Sequence, residues 1–186
     1  MTYIQNHPGY RGLRVDEHLR LIEPKLEHGN ASLSWAQSQD VIAFMGADFS
    51  NPTLAGEQKR IRDIRENSDE YSWMIELDGH VIGNVCVNDI AENSRKFGVR
   101  SGNLVILIGS KDHWGKGIAT KVCRAVLDWA FADGAFGTMA SRALEDNAAS
   151  INTMKKLGFE EIGTEPFEGT PHTKPGTWRN FILRSS

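Results

Sequence analysis

The sequence predicts a mixed α/β (α+β) domain with helices on both faces of a central sheet. Three observations predict it. Short apolar runs of strand length are interspersed with longer segments whose apolar residues recur every three or four positions. Two of the runs, Tyr71 to Leu77 and His80 to Val87, are joined by Asp78-Gly79, a two-residue hairpin signal. A third run, Leu104 to Ile108, leads through a glycine-containing loop into a helix that begins after Gly117. Read end to end, the elements run β-α-α-β-β-β-α-β-α-β-β.

Each element has a local reason. Residues 1 to 17 have little periodicity and read as a polar N-terminal arm, which leaves 18–186 as one domain. In segment 33 to 45, Leu33, Ala36, Val41, Phe44 and Met45 fall at helical offsets, as one or two short helices. Asn51-Pro52-Thr53 then caps a helix running to about Asn67, whose Lys59, Arg60, Arg62, Asp63, Arg65 and Glu66 form a solvated face. Residues 88 to 101 are polar, with Gly98 and the Ser101-Gly102 pair just beyond, and read as a long turn. After Gly117, Ile118, Val122, Val126 and Ala130 make one apolar row, and Ala119, Cys123, Leu127 and Phe131 make another. A spacing of four puts both rows on one buried face, which fixes the start of that helix rigidly against the sheet. Met139 to Leu144 is a strand, Asn147 is an N-cap, and Gly158 stands just past the end of the helix that follows. Phe159 to Gly163 and Thr177 to Leu183 supply the last two strands, linked by a loop through Pro171 and Pro175.

Composition narrows the function classes. A chain of 186 residues is long enough for one full core. A net charge of −3 argues against a broad nucleic-acid footprint. No window of 18 apolar residues exists, so no membrane span is expected, and the N-terminus lacks a secretory pattern. Cys86 and Cys123 fall inside a strand and a helix, as buried thiols of a reducing compartment do, so the cytoplasm is the expected location.

The run His113-Trp114-Gly115-Lys116-Gly117-Ile118-Ala119-Thr120 carries the chemistry. Two glycines one residue apart at a strand-to-helix junction leave several N–H groups bare, and the helix dipole favours an anion there. A phosphorylated ligand is therefore expected. A Walker loop is excluded by spacing, because five residues separate Gly109 from Gly115 and Gly117 follows Lys116. A dinucleotide fingerprint fits poorly: Thr120 stands where its third glycine belongs, and Gly134, Ala135 and Phe136 lie where its ribose-binding acid belongs. An ordinary glycine-containing turn is the remaining bland alternative.

The downstream segments add a family resemblance. A strand, a Gly-x-Gly loop and a helix are followed by a strand and an Asn147-capped helix closing on Leu157-Gly158-Phe159. This order resembles the GNAT superfamily of acyl-CoA-dependent N-acetyltransferases, in particular its RimJ/RimL-like branch. Leu19 to Pro24 resembles its opening strand, Trp35 to Val41 its Trp-containing first helix, and Trp73 to Gly83 its central hairpin. The likeness spans about residues 18 to 183. It implies a GNAT-like mixed, mostly antiparallel central sheet with splayed fourth and fifth strands. It also implies acetyl-CoA as co-substrate and no metal.

Site residues follow from the same resemblance. The N–H groups of Gly115 to Thr120, with Trp114, Lys116, Ile118 and Ala119 in the same turn, would hold a pyrophosphate, and the Thr120 hydroxyl would add to them. A solvent-facing Lys116 is the plain alternative for that residue. Pantetheine would lie along Ile106, Leu107 and Ile108 like an added strand, and the Leu107 N–H is the expected oxyanion donor. Asn147 matches the residue that bonds the pantetheine amide, beside its capping role. Ser150 matches a hydroxyl near the thioester sulfur. Phe44 and Met45 would line the acceptor pocket, while Trp35 packs the core.

Three positions depart from the family. Met154 replaces a Tyr that acts as general acid in many members. Asn103 falls where the branch often carries a Glu base, at a position that would face the acceptor. Asp112 replaces an Arg or Gln before the glycines. Asn103 cannot take a proton, so the acceptor amine would lose its proton to water, or to Asp89, Glu145 or His172.

The expected function is therefore acetyl transfer from acetyl-CoA to a small-molecule or peptide primary amine by direct attack, since neither cysteine lies at the expected thioester position. A non-catalytic CoA-binding protein of the same fold, and a dinucleotide-dependent enzyme, are the alternatives. No nucleic-acid or membrane partner is expected. An exposed last strand would offer an edge for homodimer pairing.

Overall fold

The structure is a computed structural model and describes residues 3–47 and 49–185. Eight strands form one sheet: β1 (Leu13–Arg14), β2 (Leu19–Ile22), β3 (Tyr71–Leu77), β4 (His80–Asn88), β5 (Ser101–Ile108), β6 (Thr138–Leu144), β7 (Glu160–Phe167) and β8 (Gly176–Arg184). Their order across the sheet is β1-β2-β3-β4-β5-β6-β8-β7. Every neighbouring pair is antiparallel except β5 and β6, which run parallel. This is the mixed, mostly antiparallel sheet that the family resemblance implies. Among the described residues, no helix is long and apolar enough to cross a membrane.

Alternation along the strands sorts the side chains into two layers. On one face Trp73, Ile75, Val85, Val87, Leu104 and Met139 pack with helices α6 (Ile118–Phe131) and α7 (Ala148–Leu157). On the other, Met74 and Leu107 pack with Trp35 of α2 (Gly29–Ala36) and Val41 of α3 (Gln39–Ile42). Helix α4 (Leu54–Glu66) packs against α2, and its Thr53 cap accepts a hydrogen bond from the Gly56 N–H at 3.1 Å. Helices thus cover both faces.

Three local readings are corrected. Residues 88–101 are not a plain turn, because they contain helix α5 (Ile90–Phe97), closed by Gly98 in the left-handed region. The last strand in sequence, β8, is not an edge. It lies between β6 and β7, and β7 is the edge instead. That edge carries Glu160, Glu161 and Glu165, a register slip before Gly163, and Pro166, all features that discourage pairing with another strand. Residues 3–14, ahead of the expected domain start at 18, are also well anchored. Tyr3 of α1 (Tyr3–Asn6) has no exposed surface, its hydroxyl donates to the Ser72 carbonyl at 2.9 Å, and Leu13 joins the core.

The hairpin between β3 and β4 turns at Asp78 and Gly79, both with positive φ, as the sequence signal requires. The β3–β4 register slips by one residue between Ile75 and Glu76, which places a bulge at Ile82 beside Gly83. Gly83 has no room for a side chain, since a Cβ there would collide with the Leu107 carbonyl oxygen.

Candidate active site

The parallel pair β5 and β6 is joined over only three residues, Ser101–Asn103 against Thr138–Ala140. Just beyond, the Ser141 hydroxyl donates to the Leu104 carbonyl at 2.9 Å. From there Val105–Ile108 pair with β4 alone, and Arg142–Leu144 pair with β8 alone. The two strands therefore part into a wedge with unladdered main chain on its β5 side. These are the fourth and fifth strands counted from Leu19, the pair expected to splay.

Hydrogen-bond alternation fixes which amides face the wedge. In an antiparallel ladder every second residue turns its N–H and C=O toward the same neighbour. The Gly109 N–H donates to the Ile82 carbonyl on β4 at 2.8 Å, and the register from Gly83↔Ile108 to Asn88↔Asn103 is unbroken. Leu107, Val105 and Asn103 therefore face β4, and the Leu107 carbonyl lies against Gly83 accordingly. Ile106 and Ile108 face the wedge. The carbonyls of Leu104 and Ile108 agree with this, since they accept from Ser141 and from the Trp114 indole N–H (2.7 Å). The Leu107 amide, expected as oxyanion donor, thus points away from the wedge, and the adjacent Ile106 amide points into it. An uninterrupted apolar run gives no sign of this parity.

Two helix starts flank the wedge on the α6–α7 face. Gly115 and Gly117 both lie in the left-handed region, at φ 73° and 76°, and a Cβ at either would meet nothing within 4 Å. The Gly117 cap places no side chain over the first N–H groups of α6. The helix itself is fixed from below by the buried side chains of Ile118, Val122, Cys123, Val126 and Leu127. Lys116 is exposed, whereas Ala119 and Thr120 are half-buried. At the start of α7, the Asn147 carbonyl oxygen of the side chain accepts from the Ser150 N–H at 3.1 Å, which leaves its NH₂ group for another acceptor. The half-buried Ser150 hydroxyl makes no hydrogen bond among the described residues. Among the described residues, the Asn147 NH₂ and the Ser150 hydroxyl therefore keep unused hydrogen-bonding capacity.

On the opposite face a cavity of about 230 Å³ lies at the C-terminal end of β6. It is lined by Ala43 and Phe44 after α3, by Leu144 and Glu145, and by the β7–β8 loop through His172 and Pro175. Phe44 is 41% exposed there, while Met45 is beside the cavity but not in its lining. Trp35 is buried and covers Gly109, where any side chain would collide with the indole. A larger cavity, about 580 Å³, lies between Arg11–Asp16 and the outer side of α6 and shares no lining residue with the wedge. It is a solvated groove spanned by the ion pairs Arg11–Asp133 and Lys121–Asp16.

Glu145, Asp146 and His172 border the cavity, whereas the positions expected to carry a base and an acid hold Asn103 and Met154. Asn103 is the last residue of β5 paired with β6, and its side-chain NH₂ donates to the Asn88 side-chain oxygen at 3.0 Å. Met154 is buried in the core. Asp89 caps α5 at positive φ, and its carboxyl is raised by burial first and then by Glu92 and Asp69, against the opposing charge of Arg142. Burial holds the Cys123 thiol up to about 12 and the Cys86 thiol well above its ordinary value. Neither cysteine is a thiolate at neutral pH.

Comparison with known proteins agrees with this architecture. A family model of the Acetyltransferase (GNAT) domain matches residues 18–160. YkkB of Bacillus subtilis (strain 168), an uncharacterized protein, is 41% identical over 145 residues, which are 73% of this chain and 84% of YkkB. The probable N-acetyltransferase YjcK of the same organism is 29% identical over 119 residues, which are 60% of this chain and 61% of YjcK. Mycobacterium smegmatis RimJ, solved in complex with CoA-disulfide, superposes with a TM-score of 0.82 at 16% identity, covering 96% of this chain and 90% of that one.

Proposed function

The chain belongs to the GNAT acetyltransferase family, and from that premise we propose that it transfers the acetyl group of acetyl-CoA directly to a primary amine. The observation that carries this reading is the three-residue pairing of β5 with β6. It opens a wedge between a bare helix start on one face and the Phe44 cavity on the other, so an acyl donor and an amine reach the same point from opposite sides.

The residues divide the work as follows. The N–H groups from Gly115 to Thr120 hold the pyrophosphate, helped by the α6 dipole and the Thr120 hydroxyl. Wedge-facing groups of Ile106 and Ile108 align the pantetheine arm, and the Asn147 NH₂ bonds one of its amide oxygens. When bound, acetyl-CoA supplies the activated acetyl carbonyl. The Ile106 N–H donates to its oxygen as negative charge grows there, a role worth about 3 kcal/mol when well placed. The amine nitrogen bonds to the carbonyl carbon, the carbon–sulfur bond breaks, and the Ser150 hydroxyl donates to the departing sulfur. The proton of the amine leaves through water. At about 230 Å³ the cavity is smaller than the roughly 300–1,000 Å³ of most small-molecule sites, so it takes the reacting end of the acceptor and not a bulky whole.

The test is CoA release and product mass with acetyl-CoA and a panel of an octapeptide, spermidine, glucosamine and kanamycin. An amine-dependent increase with an acetylated product supports transfer. CoA binding with no transfer to any amine supports the second reading, a CoA-binding protein without catalysis. That reading is favoured by the engagement of Asn103 with Asn88 and the burial of Met154.

Two kinetic results are expected. Ser150→Ala lowers kcat by about 10- to 100-fold, the lower range for a general acid, with little change in KM for acetyl-CoA. An unchanged kcat would assign the sulfur's proton to water. Because Asn103 cannot act as a base, kcat/KM rises with pH at a midpoint that follows the acceptor's own pKa. Two acceptors whose amines differ by about two units therefore give two midpoints. A shared midpoint would mean an enzymic base, with Glu145, His172 and Asp89 tested first.

A further inference from the structure

The two walls of the cavity come from segments about 130 positions apart in sequence, and one side chain joins them. Thr173, only 4% exposed, directs its hydroxyl at the Met45 carbonyl (2.9 Å) and at the Ile42 carbonyl (3.2 Å). Helix α3 has four residues, so its last carbonyls have no partner within the helix. Just past the helix the Met45 N–H donates to the Ile42 carbonyl at 2.9 Å, and the β7–β8 loop adds the Thr173 hydroxyl, for which it is shaped. The Thr170 N–H donates to the Thr173 carbonyl at 2.8 Å, the Thr170 hydroxyl oxygen accepts from the Thr173 N–H at 3.0 Å, and Gly169 at φ 89° lets Pro175 pack close.

We propose that Thr173 is a positioning residue for the acceptor, whose hydroxyl staples the end of α3 to the β7–β8 loop and so sets the width of the cavity. Thr173 itself borders the cavity, between Phe44 on one wall and Pro175 on the other, and it acts by holding those walls at a fixed distance. Nothing in this role touches the glycine loop or the wedge, so binding of acetyl-CoA is independent of it. The inference rests on the cavity being the acceptor site.

The experiment compares Thr173→Val, which is close in shape but has no hydroxyl, with Thr173→Ser, which keeps it. With the best amine of the panel, Thr173→Val raises the amine KM about tenfold, while KM for acetyl-CoA stays within about twofold. Thr173→Ser restores the amine KM to within about threefold of the parent value. An unchanged amine KM in folded Thr173→Val overturns the staple. Ala43→Trp, which fills the cavity, separates the two ideas. If Ala43→Trp raises the amine KM and Thr173→Val does not, only the staple fails. If neither changes it, the cavity is not the acceptor site. Hydrogen exchange on the unmodified protein decides the matter without any ligand or stable variant. Segments 42–47 and 169–175 open as one unit under increasing denaturant if the staple holds, and separate openings contradict it.

Discussion

Gly117→Val is expected to weaken acetyl-CoA binding by about 100-fold or more, since each charge-assisted hydrogen bond to the pyrophosphate is worth roughly 1.5–3 kcal/mol and at least two depend on this turn. The cause is twofold. A valine at φ 76° is in a region β-branched residues avoid, so the turn shifts. Its methyl groups also enter the open space above the first amides of α6, where a Cβ now meets nothing within 4 Å. The fold survives, because strain of about 1–3 kcal/mol at one residue is small beside the total stability of a domain. Buried side chains along α6 hold the helix in place regardless of its cap. Titration calorimetry with CoA, alongside circular dichroism of the variant, measures both halves. Unchanged affinity in a folded variant would move the pyrophosphate site elsewhere.

Ile106→Pro is expected to lower kcat by about 100- to 1,000-fold, the loss seen when a well-placed oxyanion donor is removed. Proline removes one N–H, and at this position that N–H faces the wedge instead of the β4 ladder, so sheet pairing is retained. Leu107→Pro makes the opposite change. It deletes a ladder bond to β4 and is expected to destabilise the sheet without identifying any catalytic group. Melting temperature and single-turnover rates for both variants separate these outcomes. A folded Ile106→Pro enzyme with the parent rate would show that the Ile106 amide does not stabilise the transition state.

Much of the architecture was legible because its signals are local. The α6 face follows from two rows of apolar residues four apart, and the caps at Thr53, Asn147 and Gly158 are each read from one residue and its neighbours. Helix α5 is easily missed because it is only eight residues long and its one apolar face, Ile90 and Phe97, is interrupted by Ser94. The anchoring of the N-terminal segment has no periodic signal, because contacts far along the chain hold it: Tyr3 on the Ser72 carbonyl, His7 on Tyr71 and Tyr10 on Trp73. Sheet order is equally silent in sequence, so the internal place of β8 could not be read. Within the site, the glycine turn was plain, whereas the choice between the Ile106 and Leu107 amides depends on ladder parity that an Ile-Leu-Ile run does not encode. Thr173 carries no local mark of its role, since its partners are Ile42 and Met45.

Direct transfer within a ternary complex is the central claim, and initial-rate kinetics test it most directly. CoA release is measured over a grid of acetyl-CoA and acceptor concentrations, with the acceptor taken from the amine panel. Double-reciprocal lines that intersect are the predicted result, because both substrates must be bound before the acetyl group moves. Parallel lines, which signal an acetylated enzyme, or CoA release that ignores the amine, would contradict it.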